Sequence, residues 1–98
     1  MNIIHQVLSK TIHPNDMVLD LGCGIKTYSC YGKTITVDAW DKLNPDYLLD
    51  LEKEKLPFNE NSFDYVLMID FIEHLEKNKG MVLLEDCKKI VRKGLFVY

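Results

Sequence analysis

The run Met17-Val18-Leu19-Asp20-Leu21-Gly22-Cys23-Gly24 carries the first chemical signal in the chain: an apolar strand that ends on an acid and two glycines. Glycine adopts backbone angles that other residues resist, and it places no side chain between the backbone and a molecule lying over the strand end. In a parallel α/β sheet, ligands bind in that place, outside the carboxyl ends of the strands. The junction therefore reads as a nucleotide-type cofactor site. Asp38 closes the next β-branched run, sixteen positions after Gly22. A carboxylate ending the neighbouring strand can accept hydrogen bonds from both hydroxyls of a ribose; the plain alternative is an acid ending a strand in solvent. Asp50, farther along the same edge, can accept from the exocyclic amino group of an adenine while Leu51 offers its backbone N–H. The charged run Glu52-Lys53-Glu54-Lys55 beside them equally suits a solvated loop. Trp40 either packs on the adenine face or covers local apolar surface.

These residues need elements to position them. Ile3, Ile4, Val7, Leu8 and Ile12 recur at helical spacing, so the first dozen residues form an amphipathic helix that His13-Pro14-Asn15-Asp16 ends. Strands follow at 17–21 and at 34–37, the second closed by Asp38. Only about a dozen residues separate the two, too few for a long crossover helix. A short third strand falls at 46–50. The strongest, at 63–70, is apolar almost without a break from Tyr65 to Ile69, as in a strand covered on both faces. A helix is expected from about residue 79 or 81 to residue 91, stopped by Gly94, and a fifth strand at 95–98. This order predicts an α/β fold with a parallel sheet of strand order 3-2-1-4-5. Its connections reverse direction between strands 1 and 4, which puts the crevice beside Gly22, Gly24 and Asp70.

Length and composition bound what such a fold can do. The 98 residues make one domain, 1–98, and 47% hydrophobic residues suffice for its core. A net charge of −3 gives no general nucleic-acid footprint, and Lys88, Lys89, Arg92 and Lys93 read as a solvated helix face. Three irregularly spaced cysteines, 23, 30 and 87, fit neither a disulfide framework nor paired zinc spacing, so they read as reduced thiols of a cytoplasmic protein. No apolar run approaches the ~20 residues of a membrane span.

Four blocks taken together resemble the class I S-adenosylmethionine-dependent methyltransferases, a Rossmann-like family. They are Val18-Leu19-Asp20-Leu21-Gly22-Cys23-Gly24, Val37-Asp38, Asp50-Leu51 with Leu56-Pro57-Phe58, and the stretch from Asn61-Ser62-Phe63-Asp64-Tyr65-Val66 through Glu73-His74-Leu75. The resemblance runs from about residue 13 to the end. It implies that Gly22 and Gly24 flank the methionine part of S-adenosylmethionine and that Asp20 approaches its ammonium group. It further implies that Asp38 holds the ribose, that Asp50 with Leu51 reads the adenine, and that Asp70 faces the methyl donor. Lys26 stands where the family often has a further glycine. Family members usually continue past strand 5 into an antiparallel hairpin and a lid, so the expectation here is a sheet truncated after strand 5. Its open edge invites a second copy or a partner protein.

A sulfonium methyl is already electrophilic, so transfer requires mainly positioning and removal of the acceptor's proton. The candidates are Asp70 and His74, the latter as base; its alternative is a partly buried histidine opening a helix. Asp70, Glu73 and His74 also look like the Glu-x-x-Glu-His stretch of metal-dependent RNA 3′-terminal 2′-O-methyltransferases, but Asp70 replaces the first Glu with a shorter side chain, and no metal is expected. The leading function is methyl transfer to a small-molecule acceptor. The alternative is a non-catalytic cofactor-binding module, or one completed by a partner. A nicotinamide dehydrogenase is disfavoured because Gly-x-Gly-x-x-Gly requires glycine where Thr27 stands.

Overall fold

A computed structural model describes residues 3–98. Helix α1 (Ile3–Thr11) precedes strands β1 (Met17–Leu21), β2 (Lys33–Asp38), β3 (Tyr47–Leu48), β4 (Phe63–Met68) and β5 (Val91–Val97). Helix α2 (Lys77–Ile90) joins β4 to β5, and short 3₁₀ turns lie at Asp41–Leu43 and Ile72–His74. The strands form one parallel sheet in the expected order, β3-β2-β1-β4-β5. Residues 1 and 2 of the expected first helix lie outside the described residues.

Two apolar clusters sandwich the sheet. On one face Leu19, Leu21, Val37, Val66 and Met68 pack with Leu83, Cys87 and Ile90 of α2. On the other, Val18, Leu67 and Ile69 meet Leu8 of α1 and the following Ile12. Central strand β1 is thus covered on both sides, with Leu19 and Leu21 facing one cluster and Val18 the other. Each fully buried Val or Leu contributes roughly 1.5–3 kcal/mol. No α-helix fills the β1–β2 crossover. Its Tyr28 and Tyr31 pack at the α1 face instead, with the Tyr31 hydroxyl 2.6 Å from His5 Nδ1.

Several boundaries differ from those the sequence suggests, each for a visible reason. Strand β3 is two residues long because Asp46 bonds through its side chain: its Oδ2 accepts from Thr36 N–H (2.8 Å) and Thr36 Oγ1 (3.0 Å). Strand β4 ends at Met68, two residues before Asp70, whose φ of 54° departs from extended backbone. Helix α2 begins at Lys77 and gives way to β5 at Val91 without a glycine stop. Asn61 N–H donates to Lys89 O, satisfying one carbonyl of the last turn, and Val91 is captured opposite Phe63. Gly94 lies inside β5 opposite Tyr65, where the β4–β5 register shifts.

The basic cluster is corrected as well. Lys88 and Lys89 are exposed on α2, but Arg92 and Lys93 belong to β5 and latch the N-terminal end of the sheet. Arg92 Nε donates to Asp64 Oδ1 (3.0 Å), while Met17 N–H donates to Asp64 Oδ2 (2.8 Å). Lys93 Nζ donates to Asp16 Oδ1 (2.7 Å), and His13 N–H to Asp16 Oδ2 (2.8 Å). These bonds hold both carboxyls below the usual aspartate range, the charged Arg92 and Lys93 partners being the largest cause. Among the described residues, no helix is long and apolar enough to cross a membrane.

Asp64→Ala leaves Met17 N–H and Arg92 without their acceptor and is expected to cost about 1–3 kcal/mol near neutral pH. A depressed native pKa adds stability that is present above the unfolded pKa and lost as pH falls through the native one. Denaturant titrations should therefore show the deficit shrinking as pH drops below the ordinary aspartate range. A deficit that stays constant as pH falls through and below that range would mean that packing, and not the charged bonds, is what Asp64 contributes.

Candidate functional site

The site forms where β1, β2 and β4 end together. Leu21 lies opposite Val37, and Asp20 opposite Leu67, so the chain leaves all three strands at about one level. Gly22 N–H and Cys23 N–H both donate to Val37 O (2.9 and 3.2 Å), folding the loop after β1 onto the end of β2. Gly24 N–H then donates to Asp38 Oδ2 (3.2 Å) and Trp40 N–H to Asp38 Oδ1 (3.1 Å). Asp38 thereby ties the glycine loop to the turn after β2. Each carboxylate oxygen retains a further lone pair for a ligand hydroxyl.

The loop is wound from left-handed residues, with φ of 68° at Gly22, 53° at Gly24 and 65° at Lys26. Lys26 adopts a glycine-like conformation, at a cost of about 1–2 kcal/mol for a residue with a Cβ. Its ammonium offsets part of that by bonding Asn44 O (2.7 Å). The two glycines serve different ends. A Cβ on Gly24 would meet nothing within 4 Å, so its backbone borders open space, as a ligand cradle does. A Cβ on Gly22 would lie 2.3 Å from Cδ1 of Phe71, so there the missing side chain makes room for an aromatic ring from the β4 side.

A cavity of about 300 Å³ brings together Gly22, Gly24, Asp38, Asp50, Leu51, Asp70 and His74, seven of the residues singled out in the sequence. Val37, Ala39, Leu49, Phe71 and Leu75 complete its wall. None of these five carries chemistry that sequence spacing reveals; Phe71 is identifiable only once β4 is seen to end beside Gly22. Two expected residues are absent from the wall. The Trp40 ring is 56% exposed and lies outside the lining. Asp20 lies beneath the loop, 2% exposed, and among the described residues its Oδ2 has no hydrogen-bond partner. Burial, reinforced by the nearby charge of Asp38, pushes its carboxyl up to about 7. A larger groove of about 340 Å³ lies on the flank between residues 51–56 and α2, where Glu and Lys side chains line it and no glycine backbone does.

Asp70 and His74 are both exposed at the rim. His74 Nε2 lies 3.7 Å from Glu73 Oε1. Among the described residues no three His, Cys, Asp or Glu side chains group as a metal would require. All three cysteines are free. Cys23, in the glycine loop, is buried, and its thiol is pushed up to about 11 by that burial and by Asp20 and Asp38, which favours the protonated form.

Parallel order β3-β2-β1-β4-β5 with a glycine cleft at the switch point defines a Rossmann-like methyltransferase fold. A family model described as "Methyltransferase domain" matches residues 19–98, and the chain belongs to that family, whose cofactor is S-adenosylmethionine. Solved structures share the fold. A protein from Pyrococcus horikoshii superposes with a TM-score of 0.75 at 23% identity, covering 91% of this chain and 50% of that one. Phosphoethanolamine N-methyltransferase 1 of Haemonchus contortus, solved with phosphoethanolamine and S-adenosylhomocysteine, gives 0.72 at 17% identity, with 88% and 22% covered. A chain in the complex between the Haloferax volcanii Trm112 methyltransferase activator and a methyltransferase gives 0.71 at 18%, with 91% and 46% covered. The chain thus spans half or less of the length of these three. No curated protein sequence matches it.

Gly22→Ala combines a left-handed φ with a ring contact and is expected to destabilise by about 2–5 kcal/mol. Adding Phe71→Ala removes the contact and should recover the overpacking part, so a double-mutant cycle read by thermal unfolding should give a favourable coupling of about 1–3 kcal/mol. Zero coupling would mean that the ring does not pack on Gly22. Asp20 predicts the opposite pH trend to Asp64. A raised acid pKa means that the native state holds a proton the unfolded chain has lost, so stability falls as pH rises from the ordinary aspartate range to about 7. Asp20→Asn should therefore be more stable than wild type at about pH 8 and close to it at about pH 4. An equal difference at both would assign the effect to packing.

Proposed function

We propose that this chain binds S-adenosylmethionine across the ends of β1, β2 and β4 and transfers its methyl group to a small-molecule acceptor. The observation carrying this reading is the convergence of Gly22, Gly24, Asp38, Asp50, Leu51, Asp70 and His74 on one cavity. The donor set fits the ligand. Open backbone at Gly24 suits the methionine part, and the buried, unpartnered Oδ2 of Asp20 suits a nearby ammonium group. Asp38 accepts the ribose hydroxyls beside the bonds it already holds. Asp50 accepts the adenine amino group, with Leu51 N–H beside it, and the exposed Trp40 ring can turn to cover the base.

When bound, S-adenosylmethionine supplies a methyl group on a positively charged sulfonium. The chain's own work is orientation and proton handling. Asp70, two residues past the end of β4, faces the methyl donor, its carboxylate favouring the cationic centre. His74, on the 3₁₀ turn beside it, takes the proton from the acceptor atom through a ring nitrogen. We read residues 1–98 as one domain of a cytoplasmic protein, acting on a small molecule rather than on nucleic acid.

A second reading, a non-catalytic or partner-completed module, is favoured by one observation. Among the described residues β5 pairs only with β4, and Val97 and Tyr98 are exposed beside Ile3 and Val7 of α1. Such an edge suits a second copy or a partner protein, and the Haloferax methyltransferase was solved together with an activator.

Calorimetric titration with S-adenosylmethionine and S-adenosylhomocysteine tests the main reading. Saturable binding is expected, weakened about tenfold or more in Asp38→Ala, which loses charge-assisted bonds to the ribose. No binding to a folded chain overturns the cofactor assignment. Binding without turnover on any of a panel of small-molecule acceptors favours the partner-completed module.

A further inference from the structure

Glu52 lies outside the cleft wall, yet it joins the two sides of the cleft. One side is the segment bearing Asp50 and Leu51; the other is the 3₁₀ turn Ile72–His74 that runs into α2. Glu52 N–H donates to Asp50 Oδ1 (3.0 Å). Its carboxylate Oε1 accepts from Glu76 N–H (2.9 Å), 24 positions away at the start of α2. Its carbonyl oxygen accepts from Lys79 of the first turn of α2. Glu76 makes no capping bond with its own side chain, so the acceptor at this helix start comes from across the cleft. A carboxylate is favoured there because the helix N-terminus carries unsatisfied N–H groups and partial positive charge.

The segment that Glu52 holds is already tightly wound. Lys53 N–H and Glu54 N–H donate to Asp50 O (2.9 and 2.8 Å), and Asp50 N–H donates to Glu54 Oε2 (2.8 Å). Asp50 therefore spends its carbonyl, its N–H and Oδ1 on the turn, while no bond among the described residues engages Oδ2. A turn rigid within itself still needs a fixed bearing on the rest of the site. Leu49 and Leu51 provide part of it by packing on the core, and Glu52 provides the link to α2.

We infer that Glu52 is a positioning residue: by tying the Asp50–Leu51 turn to the start of α2, it aims the free oxygen of Asp50 and so sets the cleft's preference for adenine over a base without the exocyclic amino group. This rests on the cofactor reading above. Glu52 touches no ligand; it acts through Asp50. Its effect is therefore on selectivity, a quantity that a general loss of stability leaves unmoved.

The test compares S-adenosylhomocysteine with S-inosylhomocysteine, in which hypoxanthine replaces adenine, titrated calorimetrically into the wild-type chain, Glu52→Ala and Glu52→Gln. Glu52 is half-buried at the surface, and Leu49 and Leu51 keep their packing, so both variants are expected to fold; melting curves check this. The wild type should prefer the adenine ligand. Glu52→Ala should lose about tenfold in affinity for it and much less for the inosine ligand, the scale of one hydrogen bond. Glu52→Gln keeps an amide oxygen at the same reach and should keep the preference. A preference unchanged in Glu52→Ala overturns the inference and assigns the aim of Asp50 to Leu49 and Leu51. Equal binding of both ligands by wild type overturns it while leaving the cofactor reading intact, and binding of neither overturns both.

Discussion

A parallel sheet leaves the last amides of its central strand pointing beyond the ladder, and in this chain the end of β2 receives them. Val37 O accepts from Gly22 and Cys23, and the carboxylate of Asp38 accepts from Gly24 and Trp40. Four backbone donors are thus satisfied by two adjacent residues, and the glycine loop can hold its shape with no helix after it. Two neighbouring parts of the cleft are set by that loop: Phe71 packs against Gly22, and Asp20 is sealed below it.

The sheet that carries this loop is braced differently at its two ends. At the N-terminal ends of the strands, Asp16 and Asp64 pair with Lys93 and Arg92 of β5, and each also accepts a backbone N–H. These two carboxylates each have a cationic partner. At the cleft end Asp20 has an oxygen without a partner among the described residues and a like-charged neighbour in Asp38. An ionised carboxylate in that position destabilises the fold in the absence of a cation. Stability and the candidate chemistry are therefore placed at opposite ends of the same strands.

Much of the architecture is legible in the residues. The apolar run from Tyr65 to Ile69 marks β4 as a two-sided strand, the acid and glycines at Asp20, Gly22 and Gly24 mark the end of β1, and the strand order follows from connection rules. The errors fall where one side chain outweighs local pattern. Asp46 shortens β3 by bonding Thr36; Asn61 and Phe63 let β5 start at Val91, three residues before the glycine that resembles a helix stop. Arg92 and Lys93 look like helix surface because their partners, Asp64 and Asp16, are 28 and 77 positions away.

The candidate site divides along the same line. The sequence by itself determined which residues lie at or just past the strand ends, and since parallel strands end together, Gly22, Gly24, Asp38, Asp50 and Asp70 had to share one edge of the sheet. Only the tertiary structure decided the third dimension: that Asp20, one pleat back, faces the interior, that the Trp40 ring stays outside, and that Phe71 occupies the place a side chain on Gly22 would take. It also decided that Glu52 reaches the start of α2. Strand periodicity specifies position along the chain and alternation of face, whereas contacts between segments far apart in sequence depend on how closely the packed elements approach, which no local pattern encodes.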